Sequence, residues 1–169
     1  MRRLVWLTVL AFALAAPAAG FALTGNDDGT LSVKAGIGKV YLKFNGSAVG
    51  RVWSGSIRVT DPVATDGLGF DFSGCDVEQD KSDTTANRSD TITICRGSNL
   101  RFRAIGGKYQ IKILGAGIYL SAVGHGYAVL DGSDNPAVDS DGTYSLNDGP
   151  FKSLPDFGGT VNLVAPVGG

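Results

Sequence analysis

The chain has 169 residues and 17.5 kDa of mass, with 25 Gly, 2 Cys, 1 His and a formal charge of −1. One His and two Cys are too few for an ordinary zinc site, which takes about four N or S ligands. A charge balance near zero excludes, for the chain as a whole, the basic excess that nucleic-acid binding requires. Hydrophobic content of 43% with 18% charged residues suits a globular domain, and glycine at about twice average usage points to many turns and short strands.

In chain order, Met1-Arg2-Arg3 supplies a positive start, Leu4 to Ala16 an apolar run, and Ala18-Ala19-Gly20 or Gly20-Phe21-Ala22 a small-residue cleavage signal. This is the pattern of a signal peptide over 1–22, followed by a single β domain over 23–169. The apolar run is short and Ala-rich for a membrane span, which needs about 20 apolar residues, and no later segment approaches that length. The expected location is therefore extracellular or periplasmic, with no transmembrane segment after cleavage.

Beyond that segment apolar residues alternate with polar ones, the period of a half-buried strand. Leu31/Val33/Ala35, Val40/Leu42/Phe44, Ile57/Val59, Leu68/Phe70/Phe72, Ile92/Ile94, Leu100/Phe102/Ala104, Tyr109/Ile111/Ile113, Ile118/Leu120, Tyr127/Val129 and Val161/Leu163 each mark one run. Most runs are bounded by Gly, Asn, Asp or Pro. One apolar face per strand is the habit of antiparallel sheets, so ten to twelve short strands predict an all-β antiparallel sandwich or closed barrel. A short parallel β-helix is the alternative, on the spacing of the glycines.

An offset of 69 residues superposes 33–46 on 102–115 with five of fourteen pairs identical and the apolar phase kept. Two related Gly-punctuated units, 31–61 and 100–131, are expected from this. Two repeats are too few for a solenoid, which favours a sandwich or barrel. Between them the polar stretch 76–90 reads as a long hairpin excursion with a mobile tip at 81–89. Cys75 and Cys95 stand at its base, and export permits them one disulfide. The stretch 132–159, rich in Asp, Asn, Gly and Pro, reads as irregular.

Chemistry-bearing residues are few. His125, in Gly124-His125-Gly126, has no acid or nucleophile in a motif with it, no Gly-x-Ser-x-Gly elbow occurs, and the expectation is a turn residue. Asp139-Ser140-Asp141-Gly142 with Asp148 resembles part of an oxygen-ligand calcium loop. If Gly142 took the glycine position of an EF-hand loop, its first position would be Ala137, which cannot ligate. What remains is a candidate calcium site of Asp139, Asp141 and Asp148 in a β loop, against the same residues acting as turn formers. Asp76, Glu78, Asp80 and Asp83 form a second acidic cluster.

Charge placement is the more informative feature. Lys34, Lys39, Lys43, Arg51, Arg58, Arg96, Arg101, Arg103, Lys108 and Lys112 lie in or beside predicted strands, whereas among the acids Asp71 alone is plainly inside one. By alternation Lys34, Lys39, Lys43, Arg101, Arg103, Lys108 and Lys112 point away from the core. Like charges opposite each other on a ladder are destabilising. Either their stems cover the sheet with solvated heads, or they form a basic face, with Tyr41 and Gln110 interleaved, that docks an anionic polymer or polysaccharide of the cell envelope.

Gly29-Thr30-Leu31-Ser32-Val33, Gly142-Thr143-Tyr144-Ser145-Leu146-Asn147-Asp148 and Ser153-Leu154-Pro155-Asp156 resemble an uncharacterised family of small secreted β-rich proteins from high-GC bacteria. The resemblance implies an exported β-rich fold and transfers no catalytic residue. The functional expectation is an exported non-enzymatic β-domain with a binding or structural role at the cell envelope. The alternative is a small carbohydrate-active hydrolase using loop carboxylates such as Asp139 and Asp141. No cofactor is implied beyond the candidate calcium.

Overall fold

The computed structural model describes residues 28–63, 65–85, 88–133 and 140–165, with 77–85 and 88–90 described through their backbone. The expected signal peptide, 1–22, lies outside the described residues. The alternating runs form eight strands among the described residues: β1 (Gly29–Asp61), β2 (Phe70–Ser73), β3 (Val77–Thr85), β4 (Arg88–Ala104), β5 (Lys108–Gly132), β6 (Thr143–Leu146), β7 (Lys152–Ser153) and β8 (Gly159–Leu163). Every ladder is antiparallel. They join into one sheet that does not close into a barrel, the arrangement of a sandwich. A parallel β-helix would need parallel ladders, and among the described residues there are none.

Strands are fewer and longer than the alternation predicts because the chain bends without breaking its hydrogen-bond ladder. Residues 38–45 of β1 pair with 108–115 of β5 on one edge and with 125–132 of the same strand on the other. Further along, 46–52 pair with 118–124 and 54–60 with 110–116. A strand that meets the same partner twice must turn from one layer of the sheet into the other. The first layer runs in the order β3, start of β4, end of β1, start of β5, middle of β1, end of β5, β8; the second runs β7, β6, start of β1, middle of β5, middle of β1, end of β4, β2.

The bends are made where glycine faces glycine. Gly46 stands opposite Gly124 and Gly55 opposite Gly115, at separations that leave no room for side chains. A Cβ on Gly46 would lie 2.1 Å from the Val123 carbonyl oxygen, and one on Gly55 would lie 2.1 Å from that of Leu114. Part of the glycine surplus is therefore corner material, which lets backbones approach and a strand change layer.

Some of these changes of direction also change which parity faces inward, while the Gly46 corner keeps it. In β1 Leu31 and Val33 are buried, then Val40, Leu42, Phe44, Ala48 and Val52, then Ile57 and Val59. The first flip falls where the register slips between Val33 and Gly36, beside Ala35 with φ of 51°. In β5 the phase moves from Tyr109, Ile111 and Ile113 to Ile118, Leu120 and Ala122. All of these belong to a single apolar core shared by both layers.

Four local expectations are corrected. Tyr127 and Val129 do not form an apolar inner face; Ala128 and Leu130 are buried instead, and Tyr127 and Val129 pair with Lys43 and Tyr41 on the outer side. Leu68 is 84% exposed and precedes β2 instead of packing within a strand. The excursion is a hairpin as expected, but its ladder runs from Val77↔Arg96 to Thr85↔Arg88, so the tip expected at 81–89 is paired strand at all its described positions. The stretch 132–159 carries β6 and β7, which extend the second layer beyond the start of β1.

Candidate functional site

The outer face of the second layer carries a groove of about 570 Å³ that crosses four strand segments. Its floor follows register partners: Val33 faces Leu120, Leu120 faces Gly50, and Gly50 faces Phe102. Side chains point alternately through a sheet, so the neighbours on either side stand outward as walls. Ser32, Ser121, Val49 and Arg103 form one wall; Lys34, Tyr119, Arg51 and Arg101 form the other. Gly50 takes its place on the core side, where a Cβ would strike the buried Phe102 ring at 2.3 Å, so that ring packs directly beneath the groove.

Arg51 and Arg101 are direct register partners, the like-charge placement that destabilises a bare ladder. The Arg51 guanidinium lies over the Tyr119 ring, 4.7 Å from its centroid, and the Lys34 ammonium lies 3.9 Å from the Phe151 centroid. Aromatic faces hold these cations in place without neutralising them. Asp71 stands opposite Arg103, yet among the described residues Arg51, Arg101 and Arg103 make no ion pair. The outcome is three exposed guanidiniums around a shallow groove flanked by the exposed side chains of Val49 and Tyr119, an arrangement that accepts carboxylate, sulfate or phosphate oxygens bidentately.

The outer face of the first layer gathers the other predicted cations. Tyr41 pairs with Lys112 on one side and Val129 on the other, Lys43 with Gln110 and Tyr127, and Arg58 with Lys112. The Tyr41 hydroxyl donates to Gln110 Oε1 at 3.2 Å, and its ring lies 6.2 Å from that of Tyr127. Burial, reinforced by Tyr127, raises the Tyr41 phenol above its ordinary 10.0, so it is a neutral donor at physiological pH. Lys39 donates to Asp131 at 2.6 Å and is neutralised there. A second depression, of about 230 Å³, lies between Lys43, Lys108, Gln110 and Tyr109.

The structure thus divides the residues that strand alternation assigns to one basic face. Lys39, Lys43, Lys108, Lys112 and Tyr41 belong to the first layer; Lys34, Arg101 and Arg103 belong to the second. Sequence reasoning left out Tyr119 and gave Arg51 no place in the face. Phase carried the signal for both, because Val52, Ile118 and Leu120 are buried and their odd-numbered neighbours must then point outward.

Of the remaining candidates, Cys75 and Cys95 form the disulfide, with Cα atoms 5.3 Å apart. His125 is a strand residue of β5 and not a turn residue, its Nδ1 3.2 Å from Asp28 Oδ1. Asp139 lies outside the described residues. Asp141 and Asp148 sit at opposite ends of extended β6, Asp141 by Ile37 and Asp148 next to Asn147, which bonds Thr30. They do not converge, and among the described residues no group of three His, Cys, Asp or Glu could hold a metal ion. Asp76 is exposed outside the hairpin, and Glu78, Asp80 and Asp83 are on β3.

Among the described residues no helix is long and apolar enough to cross a membrane. No protein-family model, curated protein or solved structure matches the chain.

Proposed function

We propose that this chain is an exported, non-enzymatic β-domain that binds an anionic polymer of the cell envelope through the groove on its second layer. Arg51, Arg101 and Arg103 around that groove carry the reading, being exposed, mutually repelling and without carboxylate partners among the described residues. An anionic chain lying across the strands relieves the repulsion that the ladder imposes, and its sugar rings or backbone rest on the exposed Val49 and Tyr119 side chains. Export is supported by the basic-then-apolar start of the chain and by the Cys75–Cys95 bridge, a bond that persists in oxidising compartments.

The test is binding of the purified domain to polygalacturonate over a series of salt concentrations. Affinity is expected to fall steadily with salt, because a cationic groove releases counterions from a polyanion. Arg51→Glu/Arg101→Glu is expected to weaken binding at low salt by roughly tenfold or more. Absence of binding at low ionic strength, or equal affinity of that variant, defeats the proposal.

A further inference from the structure

The two cationic faces belong to different layers of one sandwich. Both layers turn their apolar sides to a single core, so their outer sides point away from each other, with packed sheets about 10 Å apart between them. A polymer chain in the groove of the second layer does not reach the first layer unless it wraps round an open edge of the sheet.

The first-layer face has its own means of holding an anion. Arg58 and Lys112 are direct register partners, repeating on this layer the like-charge pairing of Arg51 and Arg101 on the other. Lys43 and Lys108 border the smaller depression. None of these four makes an ion pair among the described residues. Two described carboxylates on this side are already engaged: Asp131 takes Lys39, and Asp66 accepts from the Lys108 backbone N–H at 3.2 Å. Tyr41 and Tyr127 add an aromatic surface beside the cations, with the Tyr41 hydroxyl anchored on Gln110.

From this duplication we infer that the domain is bivalent and bridges two anionic polysaccharide chains, one on each face, so that it cross-links the polymer it binds. This rests on the polymer-binding reading and adds a second site to it. A rigid sandwich holds both sites at fixed separation on opposite sides, which favours two chains over two contacts with one chain.

Calorimetry with a short oligogalacturonate and light scattering with long polygalacturonate test it together. Expected for the unaltered protein are two oligomers bound per molecule and a scattering signal with the long polymer. That signal rises, then falls at excess protein as every chain becomes coated, and vanishes at high salt. Arg51→Glu/Arg101→Glu and Arg58→Glu/Lys112→Glu should each retain one oligomer per molecule and lose the scattering. One oligomer per molecule with no scattering for the unaltered protein overturns bivalence and leaves single-site binding standing. Scattering unchanged in both double variants also overturns it. Absence of any oligomer binding defeats the underlying reading as well, and calorimetry alone tells that case apart.

Discussion

Ala35 has φ of 51°, a left-handed conformation that costs a non-glycine residue roughly 1–2 kcal/mol. It sits where β1 slips register before switching layer, and its carbonyl is packed against Gly142, so the conformation is imposed by its surroundings. Ala35→Gly removes the Cβ penalty and is expected to stabilise the fold by about 1 kcal/mol, read as a higher urea midpoint; a lower midpoint would show that the residue is not strained. Tyr109 offers a second residue-level test. It is 1% exposed and its hydroxyl donates to the Gly69 carbonyl at 3.2 Å. Burial, with the nearby carboxylates of Asp61 and Asp66, raises its pKa above 10.0. The folded state then keeps this proton longer than the unfolded chain does. Its contribution is fully present below about pH 10 and is lost as pH climbs through the folded value. Alkaline titration followed by tyrosinate absorbance should show one phenol ionising together with unfolding, and Tyr109→Phe should remove that phase.

At the scale of elements, the hairpin of β3 and β4 is held at its base by the Cys75–Cys95 bridge, 20 residues apart in sequence. A closure of that length restricts the unfolded chain by about 3 kcal/mol. Cys75→Ala/Cys95→Ala should lower stability by about that amount, and Cys95, fully buried in the core cluster, adds a packing loss when truncated. Denaturation in urea that leaves the midpoint in place would show that the ladder alone constrains this segment. Strand existence was legible in sequence because period-two alternation reflects one buried face, as at Val40, Leu42 and Phe44. Strand length was not. Gly46 and Gly55 look like turn punctuation in one dimension, yet each is a corner within β1. Tyr127 and Val129 misled for a related reason: they are apolar enough to suggest an inner face, and the smaller Ala128 is what fits the core.

For the molecule as a whole, cations stand beside cations on both outer faces, as Arg51 does with Arg101 and Arg58 with Lys112. Their repulsion acts at the spacing of adjacent strands, about 4.8 Å, and is weakened by salt without being abolished. Without any polymer, the melting temperature should therefore rise as sodium chloride is raised from near zero to about 0.15 M, where the Debye length is about 8 Å. A melting temperature that stays flat or falls would mean that acids already compensate these faces. The candidate site was half legible. Alternation identified which basic residues point outward, but it could not say from which layer, since Lys43 and Arg51 share parity and a strand while Gly46 lies between them.

Alternation of apolar and polar residues, glycine punctuation and two cysteines were enough to determine an all-β antiparallel domain with one disulfide, because side-chain direction along a strand and the pairing of a single cysteine couple are local matters. Tertiary structure alone decided where the strands bend, which of the two layers each cation serves, and that Arg51 and Tyr119 meet on one wall of a groove. Those outcomes depend on ladder register between residues far apart in sequence, such as Gly46 with Gly124. Register is set by how the whole core packs, and no short window of the chain contains it.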